Sequence, residues 1–436
     1  MDEIPGTQSS ESNETYDRET ILLNLATDEH LRTYILKQEN PEISMTRRTS
    51  RPTENECRET VTEELRKVLI AVPDTMLHLL TGWTKPADCG RPADQKPDWL
   101  DMEKLRRGQK FAQDHSFSIY IAEILSWFAT YTFQSSLNPV IITGKTSSPF
   151  AAFKRFLSTS LRIRHWCTQD LWSKETAAWK DILAVRRMHA VVKRRMDTFT
   201  KEDRDAAAKI PKPFFISRKI LLEDFPEACK TPAIGQCPLL IDQNSPDPPR
   251  SFNQTDMAIT QWGFVGLIVS YPEAFGVHYA TDEDLEAYCH LWRSISYQLG
   301  MEDDFNFCRG TLKDIRKRSN DFIEAWVKPH LREVTPEWEH MLRCIFSSLN
   351  LFMPNITFET GLLQFTDIIN LKMPRLYSSL SYKQWIGYYV TKYFFYYATK
   401  LPGVIKLANT FLNRSLDDCQ RMSPQEMEAI RIKLEK

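Results

Sequence analysis

The chain has 436 residues and a formal net charge of −1, so it lacks the basic surplus that nucleic-acid partners require. That length allows a large core and two or three domains. Glycine is only 14 of 436 residues, about half its usual share, and Leu, Ala, Lys, Arg and Glu are plentiful, which favours an all-α protein. The nine cysteines are odd in number and include no C-x-x-C pair, which reads as reduced intracellular thiols rather than a disulfide framework. The N-terminus is acidic and polar and has no signal-peptide apolar region. Without such a signal the N-x-S/T triplets at Asn13, Asn253, Asn355 and Asn413 carry little weight.

In chain order, residues 1–56 read as a polar, partly disordered segment, with a short helix around Ile21–Leu36 and a linker over Asn40–Cys57. A helix is expected from Val61 to Val72, then a loop rich in Pro, Gly, Asp and Lys over 82–98. Helix resumes from Asp101. Ser116–Leu137 is apolar on nearly every face, as in a helix deep inside a core, and too interrupted by polar residues to span a bilayer. Gly144-Lys145-Thr146 imitates the end of a phosphate-binding loop, but Pro139 stands where that loop needs its first glycine. Ser148 and Pro149 open the next helix as N-cap and first turn, with Phe150, Phe153, Leu157 and Leu161 as its apolar stripe. Arg155 and Thr159 share another face, with Ser158 beside them, and that face alone reads as solvated.

Asp181–Met196 carries apolar residues at Ile182, Val185, Val192 and Met196, and His189 fills the gap in their rhythm. His189 therefore belongs on the core-facing seam, opposite the cationic Arg187, Lys193, Arg194 and Arg195. Two readings fit: a core histidine satisfied by a carbonyl, or a neutral imidazole offered to a metal. Arg186 lies about one turn earlier on nearly the same face. An Arg beside a buried His suits a ligand that has both a metal and carboxylates, as haem does.

Residues 197–255 read as loop-rich. Asp256–Tyr271 is a mostly apolar helix in which Gly263 and Gly266 allow close approach of a flat ligand or a neighbouring helix. Thr281 and Asp284 cap the next helix, which Gly300 ends. Leu285, Cys289, Trp292, Ile295 and Leu299 line its core side, while Glu286, His290, Arg293 and Tyr297 form either a solvent face or a partly buried polar network. Lys317–Lys328 and Pro336–Leu349 read as helices. The tail carries an aromatic run from Trp385 to Tyr397 interrupted by lysines, which suits a helix lying in a membrane interface over 382–412 or one docked on the core.

Five stretches resemble, in order, a haem oxygenase-type family: WLDMEKLRRGQKF (99–111), TGKTSSPFAAFKRFLSTSLRIRHW (143–166), VRRMHAVVKRR (185–195), DMAITQWGFVGLIV (256–269) and DEDLEAYCHLWRSISYQLGMEDDFNFC (282–308). That family includes the bacterial rubber oxygenase (latex clearing protein), the endoplasmic-reticulum-bound oxygenase of mycophenolic acid biosynthesis, and animal members of unknown substrate. The resemblance implies a haem-binding helical domain over 57–350, with C-terminal helices over 351–436. It makes His189, in Arg186-Arg187-Met188-His189, the axial ligand of a noncovalent haem b. It also implies that Arg155 and Thr159 support the haem and its propionates, with Arg186 and Arg293 as further cations. Ser158 stands where the rubber oxygenase has a lysine that caps the other face of the iron, so rubber cleavage itself is not implied. The function implied is an oxygenase-like oxidoreductase acting with O₂ on an apolar, lipid- or isoprenoid-like substrate, cytoplasmic or peripheral on the endoplasmic reticulum. The rival readings are a haem sensor or carrier without turnover and a cofactor-free helical interaction protein.

Overall fold

The computed structural model describes Arg66 and residues 72–229, 252–353 and 356–435. The helices expected at 21–36 and 61–72 and the linker at 40–57 lie almost wholly outside them. The described chain is all-α, and its only β feature is an isolated bridge between Pro86 and Asn253.

The first helices are α1 (Asp74–Leu80) and α2 (Met102–Asp114), followed by α3 (Ser116–Thr130) and α4 (Gln134–Ile142). The single helix expected over Ser116–Leu137 is thus broken at residues 131–133. The reason is tertiary: Tyr131 and Phe133 are both fully buried but fill different sites. Tyr131 packs on Trp127, while Phe133 packs on His330 and Phe322. Next come α5 (Pro149–Thr168) and α6 (Ala177–Asp197), each opened by a side-chain cap, Ser148 and Thr176. The buried stripe of α5 is rotated from the expected one. It uses Ala152, Phe153, Phe156 and Ser160, and leaves Leu157 and Leu161 half-buried.

The region expected to be loop-rich holds two helices, α7 (Lys201–Ala207), capped by Thr200, and α8 (Arg218–Ala228). Then follow α9 (Gln254–Ser270) and α10 (Asp282–Gln298), both opened by full capping boxes. Helix α11 (Leu312–Phe322) passes through a wide turn at Ile323–Val327 into α12 (Lys328–Leu331). Pro329 causes the widening, because it lacks an N–H and its ring crowds the preceding carbonyls. The remaining helices are α13 (Pro336–Leu349), α14 (Phe358–Ile368), α15 (Pro374–Ser378), α16 (Tyr382–Tyr396), α17 (Val404–Arg421) and α18 (Pro424–Leu434).

Helices α3 and α9, buried on most faces, pack against each other at the centre. Gly263 is the close point: Ser126 Oγ donates to its carbonyl at 2.6 Å, and a Cβ there would sit 3.3 Å from Ser126 and Thr130. Helices α10, α11, α14 and α17 surround this pair. Helix α10 packs on α2, where Gly108 is tighter still, since a Cβ would lie 2.1 Å from the Ala287 carbonyl oxygen. A backbone atom cannot swing away as a side chain can. Gly108→Ala is therefore expected to destabilise the chain by about 1–3 kcal/mol. The check is the urea midpoint, and an unchanged midpoint would show that α2 and α10 separate at no cost.

Candidate functional site

Helix α5 packs on α6, and α9 packs on α3. Arg155 and Thr159 on α5, Val185 and His189 on α6, Trp127 on α3, and Thr260, Gly263 and Phe264 on α9 each keep accessible surface. Aromatic rings lie beside the histidine and the arginine. Phe252, just before α9, lies 5.0 Å from the His189 ring. Phe264 stacks on Trp292 at 4.3 Å. Trp127 meets Phe156 edge-on at 5.8 Å, and its indole N–H is enclosed without a partner.

His78, His165, His278, His290, His330 and His340 each hold a hydrogen bond. Among the described residues His189 holds none, and its Nδ1 is enclosed and unpartnered. The reading of a core histidine satisfied by a carbonyl therefore does not describe it. His115 shares the lack of a partner, but it packs on Phe111 where α2 meets α3. By accessible surface His189 is half-buried, and protein surrounds the ring. Enclosure governs its charge: burial pulls the imidazole pKa down to about 4, Asp88 opposes that shift and Arg155 adds to it. The ring is neutral at physiological pH, the form that ligates metals.

That influence also places Arg155 beside His189. Arg155 Nη1 donates to Thr146 Oγ1 at 2.9 Å and to Tyr131 Oη at 3.1 Å, and the guanidinium lies 5.9 Å from the Trp127 ring. Among the described residues it has no carboxylate partner, and its bonds go to two hydroxyls. Thr159 follows one turn later on α5. Ser158 turns to its own helix and accepts from Arg162 Nη1 at 2.5 Å.

The other two arginines have anions within the chain. Arg186 Nε donates to Asp88 Oδ2 at 2.6 Å, and Nη2 bonds both Asp88 Oδ1 and, at 2.6 Å, the Arg91 carbonyl. Burial raises the Asp88 pKa, but the Arg186 hydrogen bond, the Gly90 N–H and the charges of Arg186 and Arg91 together outweigh it and hold the carboxyl below its usual range. Arg293 pairs with Asp303 at 2.8 and 2.5 Å and covers the Trp99 ring at 4.0 Å. It belongs to a separate, partly buried polar network on α10 with His290 and Tyr297, one of the two outcomes left open for that face. Arg155 thus acts on His189, Thr159 lies one turn beyond Arg155 on α5, Arg186 is paired with Asp88, and Arg293 with Asp303.

Two acids went unnoticed in the sequence. Glu123 on α3 is 6% exposed and has no hydrogen-bond or ion partner among the described residues. Burial pushes its carboxyl up to about 8, so it keeps its proton at neutral pH. The signal was there to find, because Glu123 is the one charged residue in α3. Asp256 on α9 accepts the capping bond from the Asn253 N–H at 3.1 Å, and burial pushes it up to about 6.

Among the described residues no cluster of three or more His, Cys, Asp or Glu side chains is placed to hold a bare metal ion. No described helix is long and apolar enough to cross a membrane. The seven described cysteines are all free.

No family model matches the chain, and no curated protein matches it by sequence. Among solved structures, latex clearing protein in its closed state is similar, with a TM-score of 0.47 and 16% identity, over 81% of this chain and 89% of that one. A likeness at that level assigns neither residues nor an activity.

Glu123 makes stability pH-dependent. Its pKa is about 8 folded against 4.5 unfolded, so between those values the folded chain holds a proton that the unfolded chain has released. Stability therefore falls as pH rises through that window. Glu123→Gln removes the penalty and is expected to stabilise the chain by roughly 3 kcal/mol at pH 7 and by under about 1 kcal/mol at pH 5. Urea unfolding at the two pH values checks this, and an equal gain at both would refute the assigned ionisation.

Proposed function

We propose that the chain is a haem b-dependent, oxygenase-like oxidoreductase that acts with O₂ on an apolar substrate. One observation carries the reading: a neutral, unpartnered imidazole on α6 lies within the electrostatic reach of a guanidinium on α5 that has no carboxylate partner among the described residues, with the Phe252 and Trp127 rings beside them. These residues fit the group. The imidazole of His189 would hold the iron, and Arg155, with Thr159 a turn beyond it, would bind the carboxylates. The resemblance of residues 185–195 and 143–166 to the haem oxygenase-type family supports the same assignment. No cysteine takes part, so the group would be noncovalent. Arg186 keeps Asp88 ionised behind His189, which favours the polarised imidazole of a ligating ring. Arg293, engaged with Asp303, is not part of the proposed site.

When bound, haem would supply the redox centre at which O₂ is activated. The chain's own residues do the rest. Phe252, Trp127 and Phe264 exclude water and favour an apolar substrate.

The test is an absorption titration with haem, followed by oxygen uptake with apolar substrates. Wild type is expected to show a Soret band, and His189→Ala to lose or shift it. Arg155→Ala is expected to weaken haem binding by about ten- to a hundredfold, the value of a charge-assisted hydrogen bond. Arg293→Ala is expected to bind haem as wild type does. A wild-type chain that stays colourless with excess haem would refute the reading, and haem binding without oxygen uptake would leave a carrier or sensor.

A further inference from the structure

Helix α16 has its polarity reversed for a surface element. Its inner face packs through Gly387, Tyr388 and Phe395 on α14 and on the turn at Pro272–Phe275. A helix in that position normally turns polar residues outward. Here the outward residues include Tyr382 at 80% exposure, Val390 at 53%, Tyr393 at 60% and Tyr397 at 63%. Their rings form a ladder at four-residue spacing: Trp385 to Tyr389 at 4.6 Å, Tyr389 to Tyr393 at 6.5 Å, and Tyr393 to Tyr397 at 5.4 Å. Ile386 and Val390 widen the apolar stripe. On a helix of 3.6 residues per turn these residues occupy an arc of roughly 140°. Past the end of α16, the Tyr279 hydroxyl donates to the Lys400 carbonyl at 3.2 Å, which brings a further exposed ring to the tip next to exposed Leu401.

The charge around the ladder is one-sided. Residues 368–416 contain no Asp or Glu and seven Lys or Arg, in a chain whose net charge is −1. Arg375 and Lys392 are ion-paired within the chain. Lys383, Lys400 and Lys406 are exposed and have no carboxylate partner among the described residues. Lys383 and Lys392 flank the stripe on opposite sides, and Lys400 follows its end.

We infer that α16, the turn after it and the start of α17 form a docking surface for an anionic phospholipid membrane, with α16 lying flat in the interface. Tyrosine and tryptophan rings suit the headgroup layer because they are apolar with one polar tip, and flanking lysines meet the lipid phosphates. A second copy of the chain fits less well, because a two-fold contact would set this cationic face against itself. No described helix crosses a bilayer, so contact of this kind would be in-plane. The inference is independent of haem: it uses none of the residues proposed to hold it, and its test reads lipid binding alone.

The experiment is co-sedimentation of the full chain with vesicles of phosphatidylcholine, with and without phosphatidylserine. Wild type is expected to pellet with the anionic vesicles and to be released by salt. Neutralising Lys383→Gln, Lys400→Gln and Lys406→Gln together is expected to weaken that partitioning on the order of a hundredfold, about fivefold per lysine. Tyr393→Ser with Tyr397→Ser is expected to weaken binding to both vesicle types. The control Lys96→Gln, Lys313→Gln and Lys433→Gln, exposed lysines elsewhere, is expected to bind as wild type. All these positions are exposed, and circular dichroism verifies the helix content of each variant. Wild type remaining in the supernatant with anionic vesicles would overturn the inference, as would equal binding by the two lysine variants. So would a lipid-free dimer that the Tyr393→Ser, Tyr397→Ser variant abolishes.

Discussion

The contact of α3 with α9 at Gly263 sets the position of nearly everything else. Two helices that are apolar on most faces are stable only where other elements cover them, so they take the centre. Their separation is fixed by a glycine and by the Ser126 hydroxyl, which bonds both its own helix and the Gly263 carbonyl. Once α3 is fixed, Glu123 and Trp127 occupy one of its faces, and Tyr131, at its end, reaches Arg155. Once α9 is fixed, so are Phe252, beside His189, and Phe264, stacked on Trp292. Helix α6 is held chiefly by α5, and its seam is only partly filled: Ile182 and Met196 are buried, while Val185, His189 and Val192 between them are not.

A folded chain usually avoids groups such as His189, Glu123 and Arg155. An enclosed polar atom without a partner costs roughly 1–3 kcal/mol, and a buried charge without a counter-ion costs more. His189 and Glu123 avert the larger cost by staying neutral, through pKa shifts of opposite sign. Arg155 cannot do so, because a guanidinium does not deprotonate in proteins. It settles for two hydroxyls, Tyr131 and Thr146, where a carboxylate would serve better. The more deeply buried Arg343 is paired with Glu339 and Glu359, both at 2.8 Å. Other half-buried arginines, such as Arg318 and Arg332, bond backbone carbonyls instead, so what sets Arg155 apart is its place near an unpartnered histidine.

Much of this was legible in the sequence where the signal is local. Ser148, Thr281 with Asp284, and the Pro336 start mark helix ends because a cap is a contact within one turn. The seam position of His189 follows from periodicity. What the sequence concealed depends on other elements. The break after Thr130 comes from two aromatic rings that need different partners. The face of α5 that is buried is chosen by α13 and α3, so Phe156 displaces Leu157 in the core. Arg186 and Arg293 look like free cations in the sequence because their anions, Asp88 on a loop and Asp303 on a short 3-10 turn, lie 98 and 10 residues away. Helices α7 and α8 were hidden among prolines that mostly cluster further along the same stretch.

The tail connects to the Trp127 ring through packing. An apolar groove runs between α3, α5, α13 and α17, lined by Tyr120, Phe153, Phe156, Leu349 and Phe411 among others. Phe411, at 48% exposure, lies at its outer end, on the helix that follows the aromatic ladder. Phe156 lies at its inner end and touches Trp127. An apolar molecule leaving a lipid surface must avoid water or pay its transfer cost, roughly 25 cal/mol for each Å² exposed. A groove walled by aromatic rings lowers that cost along its length.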